Sequence, residues 1–121
     1  MKNIFDQLID GYLINHVGIS DHFLSDKLAS SLKGNLNELY SIGSLKSAGI
    51  GNEDNAAVNK LIRSDKIFWL DKSHHDKFED AFFLLIDEFI LHLNSTCFAG
   101  ITGYEFHYAF YEAGSFYKRH L

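Results

Sequence analysis

Proline is missing altogether from this 121-residue chain, cysteine occurs once, and 11 basic residues face 16 acidic ones. Each scarcity excludes something. Without proline, every break in regular structure has to be made by glycine, asparagine, serine or aspartate. The single cysteine, Cys97, rules out an intrachain disulfide framework and fits a reducing compartment. A formal net charge of −5 speaks against a general nucleic-acid binder, which needs clustered Lys and Arg, and the one basic cluster, Lys118-Arg119, is too short. No uninterrupted apolar run approaches the ~20 residues of a membrane helix. Asp6, Gln7 and Asp10 break up the first residues, so no signal-peptide core is formed there. Together these absences lead to the expectation of a cytoplasmic protein with no nucleic-acid and no membrane partner.

Aromatic residues, by contrast, are plentiful: eleven Phe and six Tyr in a composition that is 46% hydrophobic. The length suits a single domain, residues 1–121, that buries roughly two-thirds of the surface its unfolded chain exposes. Phe5, Leu8, Ile9, Tyr12 and Leu13 recur at helical spacing and predict a short first helix. Residues 14–23, with Gly18, read as a turn and a short extended piece. Ser25 is a good N-cap for a second helix with Leu28, Leu32, Leu36, Leu39 and Tyr40 on one stripe. Residues 43–55 are rich in Gly and Asn and predict a loop. Residues 61–70 form an apolar-rich extended segment interrupted by charge.

Ser73-His74-His75-Asp76 has the form of a capping box and predicts the start of the longest helix. That helix, Phe78 to Leu93, is apolar nearly all round, which predicts cover on two sides. From Tyr104 to Glu112 the pattern alternates. Tyr104, Phe106, Tyr108 and Phe110 form one face, expected to pack on the long helix. Glu105, His107, Ala109 and Tyr111 form the other, which suits a pocket wall. Ala113-Gly114-Ser115 reads as a turn, and residues 116–121 as the beginning of another strand.

Several features that suggest chemistry have plainer readings. Gly49-Ile50-Gly51-Asn52 lacks both the Lys-Ser/Thr pair and the third spaced glycine of a phosphate cradle, so it reads as a loop. His74 and His75 are adjacent and point different ways, as a solvated cap would. His16, His22 and His92 have no ligand partner at metal-site spacing. Cys97 has no base and reads as a small buried residue.

The end of the chain carries more. Tyr111-Glu112-Ala113-Gly114-Ser115-Phe116-Tyr117-Lys118-Arg119-His120-Leu121 resembles the Y-x-x-G-x-x-Y-x-x-H-x-D signature of the prolyl 4-hydroxylase branch of the 2-oxoglutarate/Fe(II)-dependent dioxygenases, with the aspartate falling at position 122. Ile62-Arg63-Ser64-Asp65-Lys66-Ile67-Phe68-Trp69 resembles the I-R-x-D-K-I-x-W block of hypoxia-type and bacterial prolyl hydroxylases. The two blocks stand in the family order with a helix between them, and the resemblance runs from about residue 18 onward.

The resemblance implies an α+β fold. N-terminal helices and one long apolar helix (residues 1–95, with the first strands) would support the start of an incomplete double-stranded β-helix, or jelly-roll (residues 96–121). It implies an enzyme that uses Fe(II) and 2-oxoglutarate, and admits ascorbate, to hydroxylate a peptide or protein substrate with molecular oxygen, with proline as the expected target. His120 is implied as the first metal ligand. Tyr111, Tyr117 and His107 are implied for the co-substrate pocket, and Arg63 and Asp65 for the substrate entrance. The chemistry explains the His-x-Asp spacing: two residues apart on a strand, both side chains face the barrel interior, and iron oxygenases need two histidines and a carboxylate on one face. The remaining ligands and the basic residue that pairs with 2-oxoglutarate would follow position 121, so these 121 residues alone are expected to be inactive, with open strand edges that favour aggregation or a partner. The alternatives are a non-catalytic interaction or regulatory domain, whose interface is the aromatic strand, and a shortened inactive paralogue.

Overall fold

The computed structural model describes residues 2–48 and 64–119. The glycine stretch 49–52 and the residues Ile62, Arg63 and His120 lie outside the described residues. Three helices and a small antiparallel sheet follow in the order α1 (Lys2–Asn15), α2 (Asp26–Ser41), β1 (Lys46–Ser47), β2 (Lys66–Trp69), α3 (Lys77–Cys97) and β3 (His107–Phe110). This is the α+β class. The described sheet has three strands in the order β1-β2-β3. The chain divides into two compact units, residues 1–32 with 72–104 and residues 33–71 with 105–121.

The first unit is built on aromatic contacts between α1 and α3. Phe5, 4% exposed, meets the rings of Phe89 at 5.0 Å, His92 at 5.6 Å and Phe23 at 6.1 Å. Burying a side chain of this size stabilises by about 1.5–3 kcal/mol. His92, unexplained by any ligand spacing, has a structural role: its Nε2 donates to Asp6 Oδ1 at 2.8 Å and ties the two helices together. The apolar stripe of α1 is only partly used, since Tyr12 and Leu13 are exposed. After Asn15 the chain reverses through His16, in the left-handed region at φ 62°, and Gly18 lies directly on the backbone of Leu8.

α3 departs from expectation in three respects. Its N-cap is Asp76, whose carboxylate accepts from the backbone N–H groups of Phe78 and Glu79, both at 2.9 Å. Ser73 cannot cap it because Lys72–His74 form a separate 3-10 turn and His75 turns left-handed at φ 52°. Cover is one-sided for some of its apolar residues: Phe83 and Ile86 are buried, whereas Leu84 and Leu91 are exposed. Cys97, the last residue of the helix, is exposed and not a small core residue. The left-handed C-cap at Phe98 turns the chain away from the helix there, and the Asn94 side chain closes the turn by pairing with both backbone groups of Ile101.

The second unit joins the end of α2 to the sheet. Ser25 caps the start of α2 as expected, its Oγ accepting from Leu28 N. Its C-terminus is a Schellman motif: Ser44 N donates to Leu39 O and Gly43 N to Tyr40 O, with Gly43 at φ +73°. Part of the expected 43–55 loop is in fact β1, two residues that owe their extended form to pairing with β2. The strand expected over 104–112 pairs only at 107–110. Its aromatic residues find different partners: Tyr108 and Phe110 meet Asn35 and Tyr40 of α2, while Tyr104 stacks on Phe83.

Candidate functional site

Register decides which side chains the sheet collects. Antiparallel pairing sets Trp69 opposite His107, Phe68 opposite Tyr108, Ile67 opposite Ala109 and Lys66 opposite Phe110. Directly paired residues share a face, so Ile67, Trp69, His107 and Ala109 point one way and Lys66, Phe68, Tyr108 and Phe110 the other. The second face is the one covered by α2. Carried one residue past the strand, the alternation sends Tyr111 to the side of His107 and Ala109, the side expected to form a pocket wall.

On that wall His107 stands edge-on to Trp69, with ring centroids 4.9 Å apart, and its Nδ1 donates to the Tyr108 carbonyl oxygen at 3.1 Å. In the neutral ring that contact leaves Nε2 as an acceptor. Ala109 between His107 and Tyr111 contributes little bulk. Tyr111 is 48% exposed. Tyr117 lies on the returning segment, in a β-bridge and half-buried.

Two parts of the sequence some fifty residues apart meet here. β2, from the Ile62–Trp69 block, pairs with β3, which leads into the Tyr111–His120 motif. Further along, Ser64 N donates to Phe116 O at 2.8 Å and Phe116 N donates to Ser64 Oγ at 2.9 Å. Among the described residues Asp65 has the most deeply buried large side chain, 1% exposed, and its backbone oxygen accepts from Ala48 N. A carboxylate so placed does not reach solvent. Arg63 and His120 lie outside the described residues. Among the described residues no three His, Cys, Asp or Glu side chains are grouped so that they could hold a metal ion.

Three residues not assigned to a site from the sequence form a cluster: Tyr40 in the last turn of α2, Lys66 at the start of β2 and Glu112 just after β3. Glu112 accepts from Tyr40 Oη at 2.8 Å and from Lys66 Nζ at 2.9 Å. Those two donors hold its carboxyl below the usual range, Lys66 contributing most, while Glu112 in turn raises the Tyr40 hydroxyl and the Lys66 ammonium. No local signal could have revealed this cluster. Tyr40 and Glu112 are 72 residues apart, and each reads locally as part of something else, a helix stripe and a motif spacer.

No protein-family model matches the chain, and no protein of curated function matches it significantly. Among solved structures, a prolyl-4-hydroxylase from Pseudomonas putida superposes with a TM-score of 0.85 at 29% sequence identity. The similarity covers 98% of this chain and 60% of that one, so the chain spans three-fifths of the length of its structural neighbour. The resemblance drawn from the two sequence blocks is thereby borne out: the chain is prolyl-hydroxylase-like in sequence and in fold over nearly all of its residues. Among the described residues no helix is long and apolar enough to cross a membrane.

Proposed function

We propose that this chain forms part of an iron- and 2-oxoglutarate-dependent oxygenase that hydroxylates a peptide or protein, with a prolyl residue as its target. The observation that carries the reading is the likeness to the Pseudomonas putida prolyl-4-hydroxylase over 98% of the chain. The motif ending at His120 supports it, as does the wall of His107, Ala109 and Tyr111. In this reading Tyr111, Tyr117 and His107 contact 2-oxoglutarate: the phenols donate to its carboxylate or keto oxygens, and Ala109 leaves space between them. Arg63 and Asp65 belong to the segment at the substrate entrance, with the Asp65 side chain buried. The single cysteine fits a cytoplasmic setting.

Iron, when bound, supplies the redox chemistry that activates molecular oxygen. The described residues do not by themselves make up its ligand set, and of the two histidines and carboxylate required, the motif assigns only His120 within these 121 residues. The 121-residue chain alone is therefore inactive in this reading. The test measures succinate formed from 2-oxoglutarate, with prolyl peptides, by the full-length protein and by residues 1–121. We expect turnover by the full-length protein, its loss in His120→Ala, and none by residues 1–121. Turnover by residues 1–121 would sink the claim of inactivity, and undiminished turnover in His120→Ala would remove His120 from the ligand set.

An interaction domain using the aromatic strand as its interface is disfavoured. Tyr108 is buried and Phe110 lies under the ring of Tyr40, so that face is already occupied by the protein's own helix.

A further inference from the structure

Tyr111 sits just beyond the last paired position of the sheet, Lys66 opposite Phe110. It is 48% exposed. Its two neighbours are held firmly, and by one residue. The Phe110 ring lies flat on the Tyr40 ring, centroids 4.1 Å apart and planes 4° from parallel. Glu112 Oε2 accepts from Tyr40 Oη at 2.8 Å, while Lys66 Nζ donates to Glu112 Oε1 at 2.9 Å and stands 5.7 Å from the Tyr40 ring centre. Tyr40 in turn stands in the last turn of α2, where Gly43 N donates to its carbonyl in the Schellman motif. Both flanking side chains are thus drawn to the α2 side of the strand. Alternation then leaves Tyr111 one direction, toward His107 and Ala109.

We propose that Tyr40 is a positioning residue for Tyr111: its ring pins the residue before and its hydroxyl the residue after, and together they aim the Tyr111 phenol at the 2-oxoglutarate site. Lys66 and Glu112 complete the clip. The inference rests on the reading of Tyr111 as a co-substrate residue. A clip of this kind would matter because a phenol with half its surface in water otherwise loses rotamer freedom when it binds a ligand, and holding its backbone beforehand reduces that cost.

The test uses Tyr40→Phe, Tyr40→Ala, Glu112→Gln and Tyr111→Phe. In the full-length protein the dissociation constant for 2-oxoglutarate is measured with Mn(II) present, alongside thermal melting. In the 121-residue chain, nuclear Overhauser contacts from the Tyr111 ring to the Ala109 methyl, two residues away on the same side, report its direction. Tyr40→Phe keeps the stack and is expected to weaken 2-oxoglutarate binding several-fold. Tyr40→Ala removes stack and hydrogen bond and is expected to weaken it by on the order of tenfold, the scale of one lost bond to a charged group. Glu112→Gln should resemble Tyr40→Phe. In each case the Tyr111 contacts should fade in the same order, which a general loss of stability would not produce. The two conservative variants keep the test decisive if Tyr40→Ala fails to fold. If Tyr111→Phe weakens binding while the Tyr40 and Glu112 variants bind normally and keep the Tyr111 contacts, the positioning role is overturned and the co-substrate reading stands. If Tyr111→Phe binds 2-oxoglutarate normally, Tyr111 is no co-substrate residue and the proposal falls with that assignment.

Discussion

Replacing Gly18 by alanine tests how the chain folds back onto its first helix. A Cβ placed on Gly18 would lie 2.2 Å from the Leu8 carbonyl oxygen, 2.9 Å from the carbonyl carbon and 3.0 Å from Cα. An unstrained carbon–oxygen contact needs about 3.3 Å, so the two backbone segments would have to part by roughly 1 Å. Overpacking of this kind costs about 1–3 kcal/mol, and the upper half of that range applies because both sides of the contact are main chain. For a chain of this length ~1 kcal/mol moves Tm by about 4 °C, so Gly18→Ala should lower Tm by roughly 8–12 °C. Gly34→Ala is the matched control. Gly34 is exposed in the middle of α2 and a Cβ there meets nothing within 4 Å. The same substitution should stabilise the helix by about 0.5–1 kcal/mol and raise Tm by roughly 2–4 °C. Thermal unfolding followed by far-ultraviolet circular dichroism reads both. A Gly18→Ala variant that melts at or above the parent would refute the close approach of residues 17–18 to α1.

Three further outcomes follow from the geometry. Asp76→Ala removes both N-terminal acceptor bonds of α3 and should cost about 1 kcal/mol in a denaturant titration, whereas an unchanged midpoint would return the cap to Ser73. Glu112 binds its proton less tightly in the folded chain than its ordinary value of 4.5. Its stabilising contribution is therefore complete above that value and is lost as pH falls through the lower folded one. An NMR titration of the Glu112 carboxyl should show the depressed midpoint, and Lys66→Met should raise it; a midpoint at the ordinary value in the parent would dissolve the clip. Tyr104, shielded by burial and donating to Asp87 Oδ1 at 2.7 Å, is pushed up to about 12. Because the folded chain keeps that proton after the unfolded chain has lost it, stability should decline as pH rises from about 10 toward 12. Tyrosinate absorption should show a late-titrating phenol that persists in Tyr40→Phe, and its disappearance in Phe83→Ala would trace the burial to the Phe83–Tyr104 stack.

How far the site was legible depended on how local each signal was. The Tyr111–His120 and Ile62–Trp69 blocks could be read as strings, and the period of two correctly put His107 and Ala109 on one side of β3. Their neighbours across the sheet could not be read, because Trp69 faces His107 only through a register set by pairing. The Asp76 cap was within reach: Asp76 followed by Glu79 has the capping-box spacing, but Ser73 offers the same signal three residues earlier. Only the left-handed turn at His75 separates the two. Glu79, at the far end of that spacing, is buried and its carboxylate pairs with His74 Nδ1 at 3.0 Å.

By itself the sequence determined the three helices, the Ser25 cap, the extended character of residues 66–69 and 107–110, and the likeness to prolyl hydroxylases. All of these rest on interactions spanning a few residues or on motif spacing. The tertiary structure alone decided the existence of β1, the shortening of β3, the placement of Tyr108 and Phe110 under α2, and the Tyr40–Glu112–Lys66 clip. Each of those joins residues far apart in the chain, and a two-residue strand or a surface carboxylate acquires its role only from the partner the fold brings to it.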